Sequence, residues 1–207
     1  MLSEQLNKPP SIAWRARWLG AAEVAMRTTS PRERAKVAYV ARPAMCLRLL
    51  PIEQESCRLA RAFCEAMSRM GCREVTVAVR RIEAGERFAG EMAMTFPGIR
   101  FRAAAFDDLD GSAADLVFNA TPLGSRDQPL PEALKRVIYG QMVVFDAVYR
   151  PMRTELLEVA EERGCRTIPG YEMLLNQGTA GFEIWTGRPA PREAMGEALR
   201  RSLGAES

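Results

Sequence analysis

The chain has 207 residues, enough to bury a full hydrophobic core, and its 47% hydrophobic and 27% charged content is that of an ordinary globular protein. A formal charge of +3 is too small to imply nucleic acid as a partner, and nearly all the positive charge is arginine, so only Lys8, Lys36 and Lys135 can supply an amine. There is no histidine, which excludes the commonest metal ligand and the commonest acid or base near neutral pH; the five cysteines are odd in number and contain no Cys-x-x-Cys pair, so neither a disulfide framework nor a zinc site is suggested.

Residues 1–55 are rich in Arg, Ala and Pro without a clean period, and read as an unassigned, partly disordered extension. The stretch WRARW with Arg27, Arg32 and Arg34 mixes arginine and tryptophan as nucleic-acid surfaces do, but Glu4, Glu23 and Glu33 interrupt it and no binding module is recognisable. A charged extension is the better reading, with no nucleic acid as partner. No apolar stretch has signal-peptide form or membrane-span length, so a cytoplasmic protein without a membrane partner is expected. Two segments are candidates for the first strand, KVAYVA at 36–41 and CLRLLPI at 46–52. The second is preferred because a helix begins directly after it, near Ser56.

From residue 56 to 207 the pattern alternates helix and strand at the spacing of a parallel sheet covered by helices, which predicts an α/β, Rossmann-like domain closed by C-terminal helices. Leu59, Phe63, Met67 and Met70, flanked by Ala60 and Cys64, recur at helical spacing, and Gly71 stops the helix. A strand is expected over Glu74–Val79, a helix opened by Arg80 and Arg81 through Phe88, and a short strand after the Pro97-Gly98 turn. DLVFNAT reads as a buried strand feeding a loop at its carboxyl end. A short helix near Glu132–Arg136, the strand MVVFDA, a helix over 151–163, a strand over Cys165–Ile168, and helices over Tyr171–Trp185 and Pro191–Leu203 complete the chain. In the last helix Ala194, Leu199 and Leu203 are the expected apolar positions. The carboxylates Asp107-Asp108 and Glu161-Glu162 look like helix ends and solvated faces, with no metal implied.

Two segments could carry binding chemistry. In a dinucleotide-binding fold the end of the second strand reads the adenosine ribose, where a carboxylate selects NAD and arginine accepts the 2'-phosphate of NADP. Arg80 and Arg81 stand there without a carboxylate; taken alone, they read more readily as solvated arginines opening a helix. Asn119-Ala120-Thr121-Pro122-Leu123-Gly124 closes a buried strand with short side chains that let a nicotinamide and its ribose approach the backbone, Asn119 and Thr121 bonding locally. A turn with no ligand remains the alternative.

The run Asp146-Ala147-Val148-Tyr149-Arg150-Pro151, then Thr154-Glu155-Leu156-Leu157, Gly170-Tyr171-Glu172-Met173-Leu174, Gln177 and Trp185-Thr186-Gly187 resembles, in order and spacing, the C-terminal end of the shikimate dehydrogenase family. The resemblance runs over residues 57–203. It implies reduction of 3-dehydroshikimate to shikimate with NADPH, in the pathway to chorismate and aromatic amino acids. It implies that Tyr149 and Gln177 contact the small-molecule substrate, that Ala147 and the Gly170 backbone border the nicotinamide, and that Met173 packs beside its ring. Arg80 matches the arginine of the family's Asn-Arg-Thr motif, while Val79 and Arg81 depart from it.

Two family features are missing from this sequence. No glycine occurs between Gly20 and Gly71, so the Gly-Ala-Gly-Gly phosphate turn is replaced by Leu50 to Ser56, with Glu53 and Glu55 where phosphate would sit; weakened or lost NADP binding is expected. The Asn-Val-Thr-x-Pro-x-Lys motif and the Lys and Asp pair that move the proton are also not found, so no catalytic residue is assigned. A homodimer or a separate substrate domain is the protein partner expected. Three readings stay open: an incomplete or frame-disrupted product that is weak or inactive alone, a diverged nucleotide- or substrate-binding module, and a minimal dehydrogenase with an unrecognised proton donor.

Overall fold

The computed structural model describes residues 46–50, 56–109, 114–140 and 142–204. Six strands form one sheet: β1 Cys46–Leu50, β2 Glu74–Val79, β3 Arg100–Ala105, β4 Leu116–Asn119, β5 Val143–Asp146 and β6 Arg166–Ile168. Their order is β3-β2-β1-β4-β5-β6, and every neighbouring pair is parallel. Among the described residues six α-helices accompany them: α1 Ser56–Arg69, α2 Ile82–Thr95, α3 Glu132–Arg136, α4 Glu155–Glu162, α5 Gly170–Thr186 and α6 Arg192–Ser202.

Alternation along the strands explains how both faces are buried. Val75, Val77 and Val79 of β2, Leu116 and Phe118 of β4, and Val143 and Phe145 of β5 face one cluster, filled by Phe63 and Met67 of α1 and by Phe88 and Met92 of α2. The intervening Ala78, Val117 and Val144 face the other, where Leu134 of α3 and Leu156 and Ala160 of α4 pack. Phe63 stacks on Phe118 with centroids 3.8 Å apart, and Phe145 lies 4.9 Å from Phe118. The edge strand β3 carries Arg100 and Arg102, both paired to Glu74 of β2 at 3.3 Å, and such charges discourage pairing with another chain.

The sheet contains strands within each expected segment, Glu74–Val79, DLVFNAT and MVVFDA, and Cys46–Leu50 of the segment 46–52 chosen for the first strand. The alternative at 36–41 lies outside the described residues. β1 is central in the sheet, so the α/β unit takes in Cys46–Leu50, part of the segment expected to be an unassigned extension. Three element limits differ. Helix α2 begins at Ile82, after Arg80 and Arg81, and runs past Phe88 to Thr95, because Ala89 and Met92 continue its buried stripe. Helix α4 begins at Glu155, four residues after Pro151, because the Thr154 hydroxyl accepts from the Leu157 amide at 3.3 Å and sets the N-cap there. In α6, Ala194 is exposed and Gly196 is buried instead. A Cβ on Gly196 would lie 3.3 Å from Leu175, and one on Gly178 would lie 3.3 Å from Met195, so small residues set the approach of α5 and α6.

Candidate functional site

The strand order reverses direction between β1 and β4, and in open α/β sheets the crevice at the carboxyl ends of such strands is where ligands bind. β4 ends there in Asn119, which is fully buried. Its amide nitrogen donates to the Leu123 carbonyl and to Asp146 Oδ1, each at 2.9 Å. Its oxygen accepts from the Thr121 amide at 3.0 Å and from the Thr121 hydroxyl at 2.5 Å. Every bonding position of the Asn119 amide is thereby used within the protein. Thr121, also buried, accepts in turn from the Leu123 amide at 3.0 Å. Both side chains expected at a nicotinamide thus bond within the protein, where they shape the Asn119–Gly124 loop, and Pro122 is the exposed side chain of that loop.

One strand over, β5 ends in Asp146, 0% exposed. Its Oδ1 accepts from Asn119 and from the Val148 amide at 3.0 Å, and its Oδ2 accepts from the Thr154 hydroxyl at 2.5 Å. None of these donors is a cation, and burial pushes the carboxyl up to about 6, against the opposite pull of the Thr154, Val148 and Asn119 hydrogen bonds. Sequence reasoning assigned Asp146 and Thr154 no role; the available signal was a carboxylate ending the apolar run Met142 to Phe145. Ala147 follows at the rim of the first core cluster, where Met173 also packs. Gly170, at the start of α5, closes on the same loop: a Cβ there would fall 2.5 Å from the carbonyl oxygens of both Ala147 and Val148. Glycine at 170 thus leaves the room that the chain's own Ala147–Val148 backbone requires.

Arg80 and Arg81 are exposed directly after β2, with Arg81 in extended conformation at the N-cap of α2. Three strand spacings separate β2 from β5, about 14 Å, so the arginines and the Ala147 loop stand at two ends of one crevice. Tyr149 is 44% exposed on the loop after β5, and Gln177 is half-buried on α5, about 10 Å of helix rise beyond Gly170. A cavity of about 710 Å³ opens beside these elements, between Ser125–Asp127 after β4, Arg150–Met152 after β5 and the Ser202–Gly204 end of α6. Arg150 ties its two sides by donating to the Ser202 carbonyl at 2.9 Å. None of the predicted binding residues lines it.

Lys135 is no free amine: Glu132 and Glu155 each hold it at 2.5 Å, and both hydrogen bonds push its pKa up. Lys8, Lys36 and the Glu53–Glu55 segment lie outside the described residues. Cys64, Cys72 and Cys165 are buried thiols, Cys64 pushed up to about 12 by burial. Among the described residues no group of His, Cys, Asp or Glu is placed to hold a metal, and no helix is long and apolar enough to cross a membrane.

A parallel sheet in this order, covered by helices on both faces, defines an α/β domain of the Rossmann-like class. Residues 170–200 match the family model of the shikimate 5'-dehydrogenase C-terminal domain. A shikimate dehydrogenase (NADP(+)) of Moorella thermoacetica is 40% identical over 155 residues, 72% of this chain and 52% of that protein. A solved shikimate dehydrogenase in complex with NADP+ superposes with a TM-score of 0.72 at 25% identity, covering 90% of this chain and 61% of that one. The shikimate 5-dehydrogenase of Thermus thermophilus in complex with NADP(H) and shikimate gives 0.66 at 26%, covering 90% and 62%. The chain belongs to the shikimate dehydrogenase family and carries its C-terminal, Rossmann-like half. It spans about half the length of the curated relatives it matches.

Proposed function

We propose that this chain is the NADP-binding half of a shikimate dehydrogenase, binding the dinucleotide along the carboxyl ends of β2, β1, β4 and β5. The observation that carries this is the exposed Arg80-Arg81 pair after β2, with no carboxylate at the ribose position. Arginine there donates paired, charge-assisted hydrogen bonds to a 2'-phosphate, and lacks the acceptor with which a carboxylate holds the free hydroxyls of NAD. At the other end, Ala147, Met173 and the backbone around Gly170 form the wall expected beside the nicotinamide. Tyr149 and Gln177 supply the phenol and amide that a hydroxylated acid such as shikimate requires. When bound, NADPH would supply the hydride for 3-dehydroshikimate.

Turnover by the chain alone is expected to be weak or absent. Reduction of a carbonyl needs a proton donor in reach, and Lys135, the one described lysine, is held by two glutamates. Glu53 and Glu55 add negative charge before α1, where a pyrophosphate would approach, so affinity for NADPH is expected to be modest. A separate substrate domain or a second copy of the chain would have to complete the reaction.

Calorimetry with NADPH and NADH tests the proposal. NADPH should bind at least about tenfold more tightly, and Arg80→Ala with Arg81→Ala should remove that preference. Equal affinity for the two nucleotides, or no binding of NADPH at millimolar concentration, would overturn it.

A further inference from the structure

We infer that Asp146 is the positioning residue of the binding face: its buried carboxylate holds the Ala147–Tyr149 segment in register with the Asn119–Gly124 loop and the first turn of α4. The three donors that reach it come from three separate segments, Asn119 at the end of β4, Val148 in the loop itself and Thr154 at the N-cap of α4. The Val148 amide lies between Ala147 and Tyr149, so the bond that satisfies the carboxylate also fixes the backbone carrying both residues. From the other side, α5 closes on the same two peptides, since Gly170 leaves no room for a Cβ against the carbonyls of Ala147 and Val148. The segment is bonded through its Val148 amide and closely packed at its Ala147 and Val148 carbonyls.

A role in stability alone explains this poorly. A carboxylate buried with only neutral donors carries a large desolvation cost, and an apolar residue of similar size at the end of an apolar strand usually serves a core as well or better. What the carboxylate adds is direction: two oxygens that accept three bonds fix the relative placement of three loops. The same logic explains why Asn119 and Thr121 face inward. They are the other half of the brace, and Ala147, Tyr149 and the α5 residues are what it presents.

For its ligand this inference rests on the nucleotide-binding reading above; for the loop it rests on hydrogen-bond geometry. The test uses the full chain and its Asp146→Leu variant, which is close in size and accepts nothing, beside Asp146→Asn, whose one oxygen still serves Asn119 and Val148. Amide exchange at Val148 and NADPH affinity are read well below each variant's melting temperature. Asp146→Leu should lose protection at Val148 while β2 amides stay protected, and should weaken NADPH by about tenfold or more. Asp146→Asn should stay near the parent in both. If Asp146→Leu does not fold, Thr154→Val against Thr154→Ser makes the same comparison, with serine restoring what valine loses. Unchanged Val148 exchange in the folded variant, or a loss shared equally by the β2 amides, overturns the inference. Failure of the parent chain to bind NADPH overturns the nucleotide reading instead, and exchange at Val148 still decides the role of Asp146.

Discussion

Asp146 couples the candidate site to pH through a simple linkage. All three of its partners, Asn119, Val148 and Thr154, donate as neutral groups, and burial leaves the carboxyl near 6 in the folded chain against an ordinary value of 3.8. The folded state therefore takes up this proton more readily than the unfolded state. The stability this group contributes is full below about pH 4 and is lost as pH rises toward 6, a change on the order of 2–3 kcal/mol. Urea unfolding between pH 4 and 7 should show Asp146→Asn gaining on the parent chain as pH rises through that window; a constant difference would contradict the assignment. Gly170 makes a second prediction of the same scale. Gly170→Ala would place a methyl group against two backbone carbonyls and should cost about 2–3 kcal/mol, whereas Gly98→Ala, with nothing within 4 Å, should be near neutral in the same melting experiment. The resemblance set the Gly170 backbone beside a nicotinamide; that this glycine also clears two carbonyls of its own chain has no local signature in the sequence.

Among the elements, the limits of α2 and α4 show where periodicity was sufficient and where it was not. The apolar stripe of α2 was readable through Phe88, and its continuation through Ala89 and Met92 follows the same spacing. The start of α4 was set by a hydroxyl cap, and Thr154 is bonded to Asp146 as well as to Leu157, so a tertiary contact fixes a local boundary. Gly90 lies in the exposed face of α2 with open space around it, so Gly90→Ala should raise stability by about 0.5–1 kcal/mol in denaturant titrations. In the α5–α6 hairpin the buried Asn176 amide accepts from Arg192 at 2.5 Å, while its nitrogen finds no partner among the described residues. Arg192→Ala would leave the whole amide unpaired and should cost about 1–3 kcal/mol, visible as a lower melting temperature. The sequence pointed to Ala194 as the packed position of α6, but Gly196 takes that place because only a missing side chain lets Leu175 approach.

At the scale of the molecule, three aromatic rings meet where the sheet packs on α1. Phe63, Phe118 and Phe145 form one aromatic contact across α1, β4 and β5, and Phe118→Ala should cost about 3–5 kcal/mol in urea unfolding. Elsewhere large apolar side chains are left open, Trp185 at the end of α5 being 80% exposed. The alternation of buried strands and amphipathic helices, the arginines at the end of β2 and the glycine-free stretch before α1 were all determined by the sequence alone. Each is a matter of residue type and spacing along the chain, and periodicity or chain order reports it directly. Only the tertiary structure decided that Asn119 and Thr121 bond inward, that a Cβ at Gly170 would meet the chain's own backbone, and that Asp146 joins Asn119, Val148 and Thr154 in one buried network. Those outcomes depend on polar groups from β4, β5 and α4 meeting in one buried volume, where each donor and acceptor must find its partner in space.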